Sequence, residues 1–259
     1  MLLFDHPGAL FFALVLILLA AVEVGFRVAS RMRVNADPHH HEQVVAARDG
    51  IGVLLSLLLG FTLAMGLPRF DQRKQLVVEE ANAIGTTVLR AQALPEPLRA
   101  TELTLLRQYV DARMEFSEIG VSEAQLQAAL LNAGQLQKEL WRAAAAEAQV
   151  RPTPTISLYL QSLNASIDVS EKRVSARENR IPGAAWFMLI VMSTLTCLTV
   201  GYSLQKRFWF VMLLTPLMIA IVLTLVADLD SPRNGWIRVQ QPSMERLRQS
   251  LYDDASHQP

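Results

Sequence analysis

The stretch GIGVLLSLLLGFTLAMGLP, residues 50–68, decides the fold because it holds nineteen residues without a charged side chain. As an α-helix it would be about 28 Å long, which is enough to cross the hydrocarbon core of a bilayer. It runs directly into RFDQRKQLVVEEANAIGTTVLRA, residues 69–91, a charged stretch whose apolar residues keep helical spacing. The sequence therefore predicts a membrane-spanning helix that continues into a polar, amphipathic one.

Two parallel stripes of side chains run along this membrane helix. Small residues recur every four positions and form a ridge that lets a neighbouring helix come close: Gly52, Ser56, Gly60 and Ala64. One position further round lie the larger apolar residues Val53, Leu57, Phe61 and Met65. In a ring of identical subunits, the larger stripe can form stacked apolar collars that gate a pore by dewetting. The alternative is that both stripes only pack helices inside one bundle, which is the commoner role of such patterns.

The composition is that of a membrane protein. Apolar residues make up 51% of the chain and charged residues only 19%, an unusual balance for a soluble enzyme. The formal net charge is zero, so bulk electrostatics give no reason to expect nucleic-acid binding. The sequence lacks HExxH, G-x-S-x-G and nucleotide-loop motifs, and its single cysteine, Cys197, excludes an internal disulfide. We expect neither an enzyme nor a bound cofactor.

Apolar runs and proline-rich breaks, such as LPEP at 94–97, predict an all-α membrane protein with four transmembrane helices. A helical extramembrane domain is expected between the second helix and the third. The predicted parts are residues 1–68, with two membrane helices at about 7–26 and 50–68 and a connecting loop; residues 69–182, the helical domain; residues 183–229, a transmembrane hairpin of about 183–205 and 208–227; and residues 230–259, a polar tail.

Polar residues near the predicted boundaries allow more than one interpretation. The consecutive histidines at 39–41 favour a solvated loop over a metal site, since Glu42 is the only local carboxylate. Glu80 is expected to pair with Arg73, or with Lys74 or Arg90 of a neighbouring copy. Asp228 and Asp230 favour an interfacial turn closed by Pro232 and Gly235. The alternative is calcium binding, which would need more oxygens than two aspartates supply.

Three segments carry a resemblance to known proteins. The run LLGF, residues 58–61, is followed by Arg69 and Phe70 eight and nine residues after Phe61, and resembles the pore helix of bestrophins, although Asp71 stands where those proteins have a second aromatic residue. The stretches RFDQRKQLVVEEANAIGTTVLRAQALPEP, residues 69–97, and DLDSPRNGWIRVQQP, residues 228–242, resemble the bacterial bestrophin-like membrane proteins more closely. The resemblance covers about the whole membrane framework.

The resemblance implies a bestrophin-like fold and a homo-oligomeric, pentameric channel for small anions such as chloride. Its pore neck would be formed by Val53, Leu57 and Phe61, and Arg69 and Arg73 would concentrate anions at the pore mouth. The protein would lie in the bacterial inner membrane with the helical domain and both termini in the cytoplasm. Counts of arginine and lysine favour that orientation, whereas the charges after the first helix favour the reverse.

A second class of function also fits the layout. Two membrane passes on either side of a helical domain are typical of sensors and scaffolds, in which the domain binds a ligand or partner and a helix shift carries the signal. Such a protein would not conduct ions. A dimer would favour this interpretation, and a five-fold ring would favour the channel.

Overall fold

The computed structural model describes residues 7–32, 38–115, 123–231 and 235–256, and the regular structure of these residues is entirely helical. The helices are α1 (Pro7–Met32), α2 (Pro38–Ala91), α3 (Leu98–Glu115), α4 (Glu123–Val150), α5 (Pro154–Glu178), α6 (Gly183–Ser203), α7 (Trp209–Asp230) and α8 (Pro242–Ser256). Four stretches are long and apolar enough to span a membrane: Pro7–Met32, Glu42–Ala91, Pro154–Ser203 and Trp209–Asp230. The predicted all-α fold with four membrane spans is confirmed.

Helix α2 begins earlier than the sequence predicts, at Pro38 instead of Gly50, so the predicted loop before it is wrong over residues 38–49. Proline suits the first position of a helix because its missing N–H would lack a partner there anyway. The residues that follow include Gln43, Ala46 and Ala47, which are strong helix formers. The side chains of residues 39–41 lie outside the described part of the structure.

Contacts divide the chain into two compact units, Met1–Phe70 with Arg180–Arg238, and Asp71–Asn179 with Val239–Pro259. In the first unit, α1, α6 and α7 pack against one another. The membrane half of α2, which ends at Phe70, joins their apolar core through Leu55, with Leu58 and Leu59 packed around it. The buried residues that α1, α6 and α7 contribute include Leu14, Leu18, Val22, Leu189, Cys197, Ala220 and Leu223.

Two glycines bring the backbones of α1 and α6 into direct contact. A Cβ placed on Gly25 would lie 2.0 Å from the carbonyl oxygen of Leu198, and one on Gly201 would lie 1.9 Å from that of Val22. Both distances are far inside van der Waals contact. Glycine is therefore required at both positions, and the close approach of small residues occurs here, between α1 and α6.

The second unit contains the polar half of α2 together with α3, α4, α5 and α8, around a core of its own. Residues 242–256 of the predicted polar tail form α8. Met244 and Leu251 of α8 are buried in this core. The side chain of Arg107 donates to the carbonyl of Leu251 at 3.2 Å, and Arg248 pairs with Asp111 at 2.9 Å. A short amphipathic helix thus packs onto the unit even though most of its residues are polar.

One buried carboxyl group of the second unit has a single hydrogen-bond partner. Glu102 on α3 is fully buried, and its Oε2 accepts from the hydroxyl of Tyr159 on α5 at 2.5 Å. Its Oε1 makes no hydrogen bond with any described residue. Burial raises the pKa of Glu102 to about 7, although the bond from Tyr159 partly opposes this, and burial likewise raises the pKa of Tyr159.

The glycine contact predicts that Gly201→Ala destabilises the membrane unit by about 1–3 kcal/mol, because the backbones must separate to admit a methyl group. The measurement is the thermal midpoint of unfolding of the full chain in detergent. Gly183→Ala on the same helix is the matched control, since a Cβ there meets nothing within 4 Å. If the two variants unfold at the same temperature, the backbones are not in contact.

The burial of Glu102 predicts a pH-dependent stability. Because the folded state holds a proton up to about pH 7 and the unfolded chain loses it near the ordinary value of 4.5, the free energy of unfolding should fall as the pH rises between these values. The expected loss is on the order of 2–3 kcal/mol. Glu102→Gln, which mimics the protonated form, should remove this dependence in melts from pH 5 to 8. Glu139→Gln, at an exposed position of α4, should retain it.

Candidate functional site

The membrane half of α2 leaves most of its surface uncovered by the rest of the chain. Among the candidate membrane spans it has the smallest buried share. Val53 is 68% exposed, Leu57 54% and Phe61 61%, and Met65 is also exposed. These residues lie four positions apart and so form one continuous stripe along the helix. The structure brings the three predicted neck residues together on an open face.

The opposite side of α2 packs against its own chain. Leu55, Thr62 and Gly66 are buried there, and the hydroxyl of Thr62 donates to the carbonyl of Leu58 at 2.7 Å. A Cβ on Gly66 would lie 3.8 Å from that of Leu229 on α7, an ordinary contact. The helix therefore has one face that packs against its own chain and one open face, and both faces are apolar.

The ridge of small residues lies on the open face. Ser56, Gly60 and Ala64 are exposed, and Gly52 is partly exposed. A Cβ on Gly52 or on Gly60 would meet nothing within 4 Å. The hydroxyl of Ser56 donates to the carbonyl of Gly52 at 2.9 Å, so it needs no outside partner. Within the described residues of this chain neither stripe is packed, so helix packing inside a single chain does not account for either of them.

The two arginines predicted at the pore mouth differ in their surroundings. Arg69 is partly exposed, and its Nη1 is buried without a hydrogen bond to any described residue. Arg73, which belongs to the helical unit, is buried. Both charges stand on α2, one turn apart along the helix. Only Arg69 presents its side chain in part to the surroundings.

Glu80 has partners that the sequence did not predict. Its carboxylate is fully buried, and Nε of Arg113 on α3 donates to Oε1 at 2.6 Å. Arg173 on α5 donates to Oε2 and, at 2.7 Å, to the side-chain oxygen of Gln241. Burial lowers the pKa of Arg173, while the charge of Glu80 opposes this shift. The predicted pairing of Glu80 with Arg73 is wrong, because the carboxylate faces α3 and α5. The alternative pairing with Lys74 or Arg90 of a neighbouring copy stays a prediction.

The aspartates at the end of α7 bind backbone N–H groups. Asp228 accepts from Trp236 at 2.7 Å and from Ile237 at 2.8 Å, one on each oxygen. Asp230 accepts from the backbone of Ile181 at 2.8 Å. A Cβ on Gly235 would lie 2.5 Å from Oδ1 of Asp228, which explains the glycine in this turn. Pro232 lies outside the described residues, and within them no group of three or more His, Cys, Asp and Glu is placed to hold a metal ion.

The sequence analysis did not predict some features of the structure. The pairing of Glu80 with Arg113 and Arg173 joins helices far apart in the chain, and no local spacing indicates it. The close contact of α1 with α6 had only one signal in the sequence, the single glycines Gly25 and Gly201 in two apolar runs. The core face of α8 was detectable, since Met244, Leu247 and Leu251 have helical spacing.

Solved structures of similar fold are bacterial bestrophin homologues. One from Klebsiella pneumoniae superposes with a TM-score of 0.67 at 15% sequence identity, covering 96% of this chain and 98% of that one. A point variant of the homologue from that organism gives a TM-score of 0.67 at 15% identity, with 97% and 99% covered. A structure described as a variant of a membrane protein gives 0.68 at 15% identity, with 94% and 99% covered. None of the curated proteins matches the sequence.

The family model for the Bestrophin-like domain matches residues 10–244, which include three candidate membrane spans in full, nearly all of the first, and most of the helical unit. Together with the helical fold and the open face of α2, this match places the protein in a known group of membrane proteins. The chain belongs to the Bestrophin-like family.

Proposed function

We propose that this protein is a homo-oligomeric anion channel, with five copies of α2 around a central pore. The observation that carries the proposal is the open face of α2, where a ridge of small residues and a stripe of large apolar ones are both uncovered by the chain itself. In a ring of subunits the ridge of one copy packs on its neighbour, as small residues do between membrane helices. The larger stripe then faces the axis.

The neck of this pore consists of Val53, Leu57 and Phe61. Each contributes one apolar side chain per subunit, so five copies form three stacked collars about one helical turn apart. Water leaves so narrow an apolar passage, and a hydrated anion crosses it only when the ring widens. Chloride and other small anions are the expected permeant ions.

Arg69 and Arg73 supply the positive field that favours anions near the end of the membrane segment. Arg69, which is partly exposed, can meet a passing anion directly. Arg73 is buried, so it acts only through its charge. The field of both is strongest at low ionic strength, because salt screens exposed charges over about 10 Å at 0.1 M.

The protein lies in the lipid bilayer of the bacterial inner membrane as a multi-pass protein. The helical unit and both termini are assigned to the cytoplasm, which places the larger number of arginine and lysine residues on the inner side. Labelling of single cysteines introduced at exposed positions of α4, in inverted and right-side-out vesicles, tests this orientation. A dimer with α4 on the outer side would instead favour the sensor or scaffold.

Phe61→Ala should increase anion flux about fivefold or more, because the loss of one phenyl ring from each of the five subunits widens the neck and lets water enter it. The measurement is chloride efflux from liposomes containing the purified protein, after native mass spectrometry has counted its subunits. Sodium efflux under the same conditions establishes selectivity.

Phe187→Ala is the matched control for this experiment, since Phe187 on α6 is 68% exposed, much as Phe61 is, but stands on another helix. Its flux should equal that of the wild type. A verified oligomer without chloride efflux, or equal effects of the two substitutions, contradicts the assignment of the neck.

A further inference from the structure

The helical unit contains a groove that the pore does not use. It lies between α4 and α5, has a volume of about 850 Å³, and is lined by Lys138, Trp141 and Arg142 from α4 and by Ile167 and Glu171 from α5. Binding sites for small organic molecules commonly have volumes of about 300–1,000 Å³. The groove is open because α4 presents Gly134 and small alanines beside the larger side chains.

The two cations of this groove form no ion pair with the described residues. Lys138 and Arg142 are four residues apart and so lie side by side on one face of α4, an arrangement of like charges that costs stability. An anion bound between them would offset that repulsion.

An unpartnered aromatic ring lies beside the cations. Trp141 is 41% exposed, lines the same groove, and has neither a hydrogen bond nor a ring contact with a described residue. An indole offers a large flat apolar surface for stacking against another ring. The partly buried Ile167 extends this apolar surface from α5.

Glu171 limits the charge of a ligand. It is the acidic residue of the lining and makes no ion pair with any described residue. With Lys138 and Arg142 it leaves the groove with one excess positive charge, which a monoanion neutralises and a dianion would exceed. The aromatic surface and the single excess positive charge together fit an aromatic molecule with one negative charge.

We propose that the groove between α4 and α5 binds an aromatic monocarboxylate, with its ring on Trp141 and its carboxylate held by Lys138 and Arg142. This site is separate from the proposed neck, so binding needs no ion conduction. It gives the helical unit a ligand of its own, whether or not the membrane unit conducts.

The test is titration calorimetry of the full-length protein in detergent, with 2-naphthoate as the probe and uncharged 2-naphthamide as its twin. Lys138→Gln and Arg142→Gln should each weaken naphthoate binding about fivefold, because each removes a charged donor. Trp141→Ala should weaken the binding of both compounds. The amide should bind the wild type about tenfold more weakly than naphthoate does.

Two further variants separate binding from unfolding. Glu171→Gln should strengthen naphthoate binding about twofold, because it removes a negative charge from the lining, and a merely damaged protein would not gain affinity. Lys172→Gln, an exposed position of α5 outside the lining, should leave affinity unchanged. The proposal is overturned if naphthoate does not bind, if the amide binds equally well, or if Lys138→Gln and Lys172→Gln have equal effects. The first outcome includes the case in which a neighbouring copy covers the groove.

Discussion

The direct contact between the backbones of α1 and α6 is the constraint on which the membrane unit depends. Apolar side chains gain little from leaving lipid for another apolar helix, so membrane helices associate through close packing. Gly25 and Gly201 allow that packing, since a Cβ on Gly25 would lie 2.0 Å, and one on Gly201 1.9 Å, from a carbonyl oxygen of the other helix. With α1, α6 and α7 packed on one another, α2 needs only one face to join their core. Because one face of α2 is enough to join this core, its opposite face is left open.

The helical unit solves a different problem, the burial of charge. A buried carboxylate is costly unless it is paired and hydrogen-bonded, and Glu80 meets both conditions by binding Arg113 and Arg173. This arrangement connects α2, α3 and α5 through one side chain. Among the described residues Glu102, by contrast, has only Tyr159 as a hydrogen-bond partner, and burial raises its pKa to about 7, so it holds its proton at acidic pH. The two buried glutamates therefore differ in their partners: Glu80 binds two arginines, whereas Glu102 accepts one bond from a neutral hydroxyl.

The sequence predicted the features that are set by local pattern and by the thickness of a bilayer. Apolar runs of fixed length located the membrane spans, and the four-residue spacing located the stripe from Val53 to Phe61. It could not predict the partners of Glu80, because the arginines stand 33 and 93 residues away and meet it only in the folded unit. The packing of α8, by contrast, was missed although it had a local signal: Met244, Leu247 and Leu251 have helical spacing, and Met244 and Leu251 are buried in the core of the helical unit.

The composition of the exposed surface separates α2 from α7. On α7 the exposed residues between Trp209 and Leu225 are all large and apolar, the surface expected against lipid tails. The open face of α2 instead alternates such residues with Gly60, Ser56 and Ala64. Exposing glycine and serine to lipid gains nothing, since they offer few atoms for dispersion contacts, whereas they permit close approach of another helix. The open face of α2 thus has the composition of a helix–helix interface, and the described residues of this chain leave that face uncovered.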